Sequence, residues 1–313
     1  MRSLFILVVI ATLFSGCKEK EQSISPEAKN YLNEVITLLE TKSVNRKHID
    51  WTKFRTDVLA HAGKAATIQE AHASVSYALQ LLKDRHSSFN TSEPEETDNE
   101  TTPELPSGVI PKDIGYLYLG NCPKDEDEIE MYRQQLIQQI IEQDKQPTKG
   151  WIVDLRGNNS SSISPMLAAI APVLGNGTVG YFINDTNEEP WISENGKIFY
   201  GKTLVEDLHE FYKLKNSSAP VAILTDGKTQ NSGEAIVVAF KGRPKTKSFG
   251  TKTYGASSLN ETYILSDGAT ISFTTGYFAD RNKTAYKDAI APDAEVSSDQ
   301  VVSKAITWLK DSK

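Results

Sequence analysis

Apolar positions in the first third of the chain recur at helical spacing. "YLNEVITLLE" (31–40) carries one such stripe, and Trp51, Phe54, Val58 and Leu59 carry a second. Ile68, Ala71, Val75, Ala78, Leu79 and Leu82 form a third, within "IQEAHASVSYALQLL". Steps of three and four place these side chains on one face of each helix. Thr67, followed by Glu70, has the pattern of a capping box and predicts where the third helix starts. A helical subdomain is therefore expected over residues 27–90. The pattern then stops. "NTSEPEETDNETTPELPSG" is acidic, contains proline and has almost nothing to bury, so residues 91–108 read as a loop that cannot pack itself.

Beyond the loop, short apolar runs alternate with amphipathic stretches. "IGYLYLG", "GWIVDL", "TVGYFI" and "VAILTD" predict strands. "DEIEMYRQQLIQQIIEQ" predicts a long helix burying Ile129, Tyr132, Leu136, Ile140 and Ile141. "SPMLAAIAPVLG", "EAIVVAF" and "VVSKAITWLK" predict further helices, with Pro165 in the first turn of the first of these. "TYILSDGATISFTTG" predicts a hairpin turning at Asp267-Gly268. Strands alternating with helices point to an α/β core around a largely parallel sheet, with the N-terminal helices attached.

Composition narrows the function classes. The 313 residues carry a net charge of −7, spread along the chain, which argues against a nucleic-acid partner. The opening "MRSLFILVVIATLFSGC" has one arginine, an apolar run too short for a stable membrane span, and small residues before Cys17. It reads as a secretory signal over 1–16 whose "FSGC" end resembles the bacterial lipoprotein box. Cys17 is then the lipidated mature N-terminus, residues 17–26 are a tether, and the protein sits at the cell envelope, held to the membrane by lipid alone. Cys122 is left without a disulfide partner and reads as packing. The spacing of His48, His61, His72 and His209 does not suit a metal, and no cofactor is expected. "GNGTVG" lacks the lysine of a phosphate loop.

Three stretches carry candidate chemistry. "LLKDRHSSF" ends a helix with Asp84 and His86, and an imidazole titrates near neutrality. "WIVDLRGNNSSSISPM" ends a strand with Asp154, Arg156 and a polar loop that could offer N–H donors. "TQNSGEA" sets Asn231 and Ser232 at the junction of a strand and a helix. Asp154 and Arg156 read as a pair pinning their turn, and Glu234 as an anchor for its helix.

In the order in which they occur, "LKDRHSSF", "GWIVDLRGN", "TQNSGEAIVVAFKGRPKTKSFGTKTYG", "LSDGATISFTTGYFADR" and "YKDAIAPD" resemble the tail-specific, or C-terminal processing, serine peptidases. These share a fold with the core of the archaeal tricorn protease, and the resemblance covers roughly residues 27–313. It implies a protease domain over 109–313, a peptide or protein ligand, and no PDZ domain, since the acidic loop occupies its place. Ala256 stands where many relatives carry a lysine base, which puts the chain in the branch that uses a histidine, here His86. The same resemblance makes the backbone around Gly157, Asn158 and Gly233 the oxyanion and substrate contacts. Tyr286 falls near tricorn's acidic orienting residue.

The departures from the family pattern are chemical. With Thr229 and Glu234 fixing the register, the attacking serine's place falls on Asn231, and Ser232 lies one residue late. An amide nitrogen cannot attack a carbonyl as an alkoxide does. Adjacent residues at a helix start point about 100° apart, so a displaced hydroxyl would have to be re-aimed at its base. The glycines that follow D-L-R-G-N in relatives are here Asn159, Ser160 and Ser161. Two functions remain open, with a different hydrolase using only His86 as a more distant third: a peptidase using Ser232 and His86, or a non-catalytic homologue binding peptides or an envelope partner through the same cleft.

Overall fold

The computed structural model describes residues 23–91, 110–146 and 148–312. The signal segment, Cys17 and nearly all of the acidic loop lie outside these residues. Three helices come first: α1 (Pro26–Lys42), α2 (Trp51–Ala62) and α3 (Ile68–Leu81). Each starts at a side-chain cap, with Ser25, Asp50 and Thr67 accepting the N–H groups of Ala28, Lys53 and Glu70. The expected capping box is present in a shifted form, because the Glu70 carboxylate returns to the N–H of Ala66, one residue before the cap. Lys83 ends α3 in a positive-φ conformation and turns the chain towards the short strand β1 (Ser88–Asn90).

The chain then builds β2 (Ile114–Tyr118), α4 (Glu126–Gln143), β3 (Gly150–Asp154), α5 (Ile163–Ala169) and α6 (Ala171–Leu174). The expected single helix "SPMLAAIAPVLG" is split at Ile170, because Pro172 cannot continue the hydrogen-bond ladder. Next come β4 (Gly177–Ile183), β5 (Glu188–Glu194), β6 (Lys197–Tyr200) and β7 (Thr203–Asp207), then β8 (Val221–Thr225), α7 (Ser232–Phe240) and β9 (Thr246–Gly250). The chain ends with β10 (Ser258–Ile264), β11 (Thr270–Ala279), β12 (Ala285–Tyr286), β13 (Ala294–Glu295) and α8 (Val301–Asp311).

Two sheets result. The five-stranded sheet, in the order β13-β9-β8-β3-β2, is parallel throughout, as the alternation of strands and helices predicts. Its central strands β3 and β8 are wholly buried, and alternate residues serve opposite faces. Ile152, Ala222 and Leu224 pack with α8, whereas Trp151, Val153 and Ile223 join α4, α5 and α7 in the largest core.

The eight-stranded sheet is antiparallel and runs β1-β11-β4-β5-β6-β7, with β10 and β12 also pairing with β11. The hairpin at Asp267-Gly268 is the one expected. The sequence reading gives no elements to the meander β5–β7. The N-terminal helices are not separate: their core takes in Leu265, Ile271 and Phe273 from the β10–β11 hairpin. His72 on α3 reinforces this union through a 2.7 Å contact to Asp267.

Candidate active site

β8 delivers the chain to the surface of the parallel sheet, and residues 226–231 turn it sharply into α7. Asn231 is the N-cap of α7, at φ 50° and ψ −114°, and makes no side-chain cap bond. A non-glycine residue in that region is strained by about 1–3 kcal/mol and persists only where its surroundings dictate it. A strand-to-helix turn of this kind holds out the nucleophile of many hydrolases. Asn231, with its amide side chain, therefore stands at the strained junction of this turn and α7.

Ser232, expected from the sequence as the displaced nucleophile, is 1 % exposed. Its hydroxyl donates to the carbonyl of Ser160 at 2.6 Å, and the Ser160 hydroxyl lies 2.6 Å from it. A carbonyl oxygen accepts that proton but is too weak a base to remove it. The structure brings Ser232 to Ser160 and shows no hydrogen bond from Ser232 to His86.

The loop after β3 is stitched to the same turn. Gln230 N–H donates to the Asn158 carbonyl at 2.8 Å and Ser232 N–H to that of Ser160 at 3.1 Å. Thr229 Oγ1 donates to the Leu155 carbonyl at 2.9 Å. The donors expected to hold an oxyanion are committed elsewhere: Gly157 N–H to Asp226 Oδ1 at 3.1 Å, and Gly233 N–H to the Gln230 carbonyl at 2.9 Å. Asn158 is fully buried, and its Nδ2 donates to the carbonyls of Leu119 and Gly120. Position 233 must be glycine because a Cβ there would lie 2.9 Å from Asn158 Oδ1 and 3.0 Å from its carbonyl oxygen. The loop bearing Asn159, Ser160 and Ser161 thus presses onto the turn at Gln230 and Ser232.

His86 is half-buried, and its ring has no hydrogen-bond partner among the described residues. Its backbone is held firmly. Asp84 accepts the N–H of His86 at 3.0 Å, the Ser87 hydroxyl at 2.7 Å and the Thr274 N–H at 3.0 Å. Burial alone would raise the Asp84 carboxyl, but these donors outweigh it and hold it below its ordinary value. Next to His86, Arg85 pairs with Asp288 at 2.7 Å.

Two further features support the turn. Glu234, on the first turn of α7, is fully buried and accepts the Thr253 hydroxyl and the N–H groups of Gly255 (2.9 Å) and Ala256 (2.7 Å). Burial raises its pKa, and these donors offset part of the rise. Glu234 so moors the segment 253–256, where relatives carry the lysine, to the helix. Tyr254 on that segment is 62 % exposed, and its N–H donates to the Thr229 carbonyl at 2.9 Å. Asp154 and Arg156 form a buried pair, Arg156 Nη2 to Asp154 Oδ2 at 2.6 Å, which also accepts the Tyr116 hydroxyl. Tyr286 donates to Asp280 rather than to a histidine.

Asp226 and Ser160 shape the site more than the sequence reading allowed. Asp226 gathers the N–H groups of Gly157, Lys228 and Thr229. An aspartate followed by glycine after a buried strand was the available signal.

The comparisons with known proteins agree with this architecture. A nisin-resistance protein of Lactococcus lactis subsp. lactis is 26 % identical over 317 residues, spanning 99 % of this chain and 97 % of its own. Among solved structures, a lipoprotein from Streptococcus agalactiae matches with a TM-score of 0.66 at 23 % identity, over 92 % of this chain and 98 % of that one. A photosystem II D1 C-terminal processing protease matches with a TM-score of 0.63 at 13 % identity, over 87 % and 94 %. At these identities the structural matches speak for the fold. The model of peptidase family S41 matches residues 113–296, more than half of the sequence, and the chain belongs to that family.

Proposed function

We propose that this member of family S41 is a lipid-anchored protein of the cell envelope that binds peptide segments at the elbow without hydrolysing them. One observation carries the reading: Asn231 stands at the strained N-cap of α7, while the Ser232 hydroxyl is buried and donates to the Ser160 carbonyl. Acyl transfer needs a nucleophile within reach of a base and free donors for the oxyanion. Here the hydroxyl faces a carbonyl, and the N–H groups of Gly157 and Gly233 are spent internally. The exposed ring of Tyr254 beside the turn offers a peptide the flat amphipathic surface that such contacts favour. Cys17 and the segment before it supply the anchor, a reading supported by the likeness to a streptococcal lipoprotein.

The ring of His86, half-buried and without a hydrogen-bond partner among the described residues, favours a second reading, in which Ser232 attacks with His86 as base. A fluorophosphonate probe separates the two. The unmodified protein should resist labelling and leave fluorescein-labelled casein peptides uncut. It should still bind those peptides by fluorescence anisotropy, with roughly fivefold weaker affinity in Tyr254→Ala and no change in Ser232→Ala. Labelling that disappears in Ser232→Ala would establish the peptidase instead.

A further inference from the structure

α7 carries the elbow at its N-terminal end. The turn after its other end, residues 243–245, lines a cavity of about 500 Å³, within the usual range for small-molecule sites. Nine residues at about 1.5 Å each place the two ends roughly 13 Å apart, so the cavity is distinct from the elbow. Its walls come from the end of α6, from residues 211–218, from the turn 243–245 that follows α7 and from Arg281.

Two guanidinium groups line it. Arg281 donates from Nε to the Ala239 carbonyl at 3.2 Å and from Nη2 to the Leu174 carbonyl at 3.4 Å, which caps the last turns of α7 and α6. Arg243 donates to the carbonyls of Pro244 (3.1 Å) and Ala219 (3.2 Å) and to the Thr246 hydroxyl (3.3 Å). A guanidinium has five N–H groups, so each arginine keeps at least two beyond these contacts. Neither meets a carboxylate among the described residues, and no Asp or Glu lines the cavity. Lys213 and Lys245 add two exposed ammonium groups at the rim, also without ion-pair partners among the described residues.

Helix capping accounts for one arginine. It does not account for a second beside it, because two like charges withdrawn from water repel each other and lose hydration. The effect is visible in Arg243, whose pKa is pushed down to about 10 by burial and then by the charge of Arg281. In a chain of net charge −7, four cations around one cavity with no acid among them form a site prepared for a negative ligand. Leu174, Phe211 and Leu214 offer a surface for a non-polar group, beside the neutral polar side chains of Asn176, Asn195, Ser217 and Ser218.

We infer that this cavity binds a small organic anion, its carboxylate or phosphate clasped between Arg243 and Arg281 and its apolar body resting on Leu174, Phe211 and Leu214. Calorimetric titration of the full chain tests this with four probes. Phenyl phosphate and N-acetylphenylalanine present the two anion types on a similar body, N-acetylphenylalaninamide removes the charge, and inorganic phosphate removes the body. At least one aromatic anion should bind saturably, and the tighter of the two identifies the head group. The neutral amide and inorganic phosphate should each bind at least tenfold more weakly. Arg243→Gln and Arg281→Gln should lower affinity at least tenfold. Because these arginines also hold buried carbonyls, the paired variant Lys213→Gln with Lys245→Gln serves as the control that leaves packing intact. It should weaken binding about threefold and flatten its salt dependence. Four results would each overturn the inference: no saturable binding by either aromatic anion, equal binding of the amide, equal binding of inorganic phosphate, or unchanged affinity in the arginine variants.

Discussion

Asn231 is held at a positive φ with no hydrogen bond from its side chain, among the described residues, to repay the strain. Glycine adopts that conformation freely, so Asn231→Gly should stabilise the fold by about 1 kcal/mol, read as a rise in the thermal midpoint. A fall would mean that the asparagine amide makes a compensating contact. Asp84 provides a pH signature. Its carboxyl is held below the ordinary 3.8, so the folded state releases this proton more readily than the unfolded chain does. The resulting stabilisation is complete above the ordinary value and fades as pH falls through the folded one. The stability lost in Asp84→Asn should accordingly be full at neutral pH and shrink in denaturant titrations carried out progressively below pH 4. At this scale the sequence reveals substitution better than orientation. Thr229 and Glu234 frame the turn in the sequence, and Asn231 stands between them. The burial of Ser232 depends on Ser160, 72 residues away, which no local pattern reports.

Helix starts are legible because their caps are local: Thr67 and Glu70 announce α3 within four residues. The strands of the parallel sheet are legible because burial on both faces leaves continuous apolar runs such as "WIVDL" and "VAILT". β5, β6 and β7 escape notice because they are partly exposed and interleave charges with apolar residues, giving weak contrast at either period. At the level of elements, Glu234 joins α7 to the segment 253–256. Its removal leaves two buried N–H groups and a hydroxyl without an acceptor. Glu234→Ala should cost roughly 3 kcal/mol or more, measured as a lower urea midpoint. It should also loosen the segment bearing Tyr254, seen as faster amide exchange at Gly255 and Ala256.

Across the whole molecule, β11 is the member that spans both halves. Its start contributes Ile271 and Phe273 to the core of the N-terminal helices, and its end contributes Phe278 to the main core. The division read from sequence at the acidic loop follows the chain, whereas the packing crosses it. Deleting residues 23–90 should therefore leave Leu265, Ile271 and Phe273 uncovered. The remainder should aggregate on size-exclusion chromatography or bind a hydrophobic dye, whereas an independent peptidase domain would elute as a monomer. The same strand bears on ancestry. A recombination crossover within the acidic stretch would hand half of one hydrophobic nucleus to each daughter gene, so the helical cap and the sheets beneath it are bound to descend together.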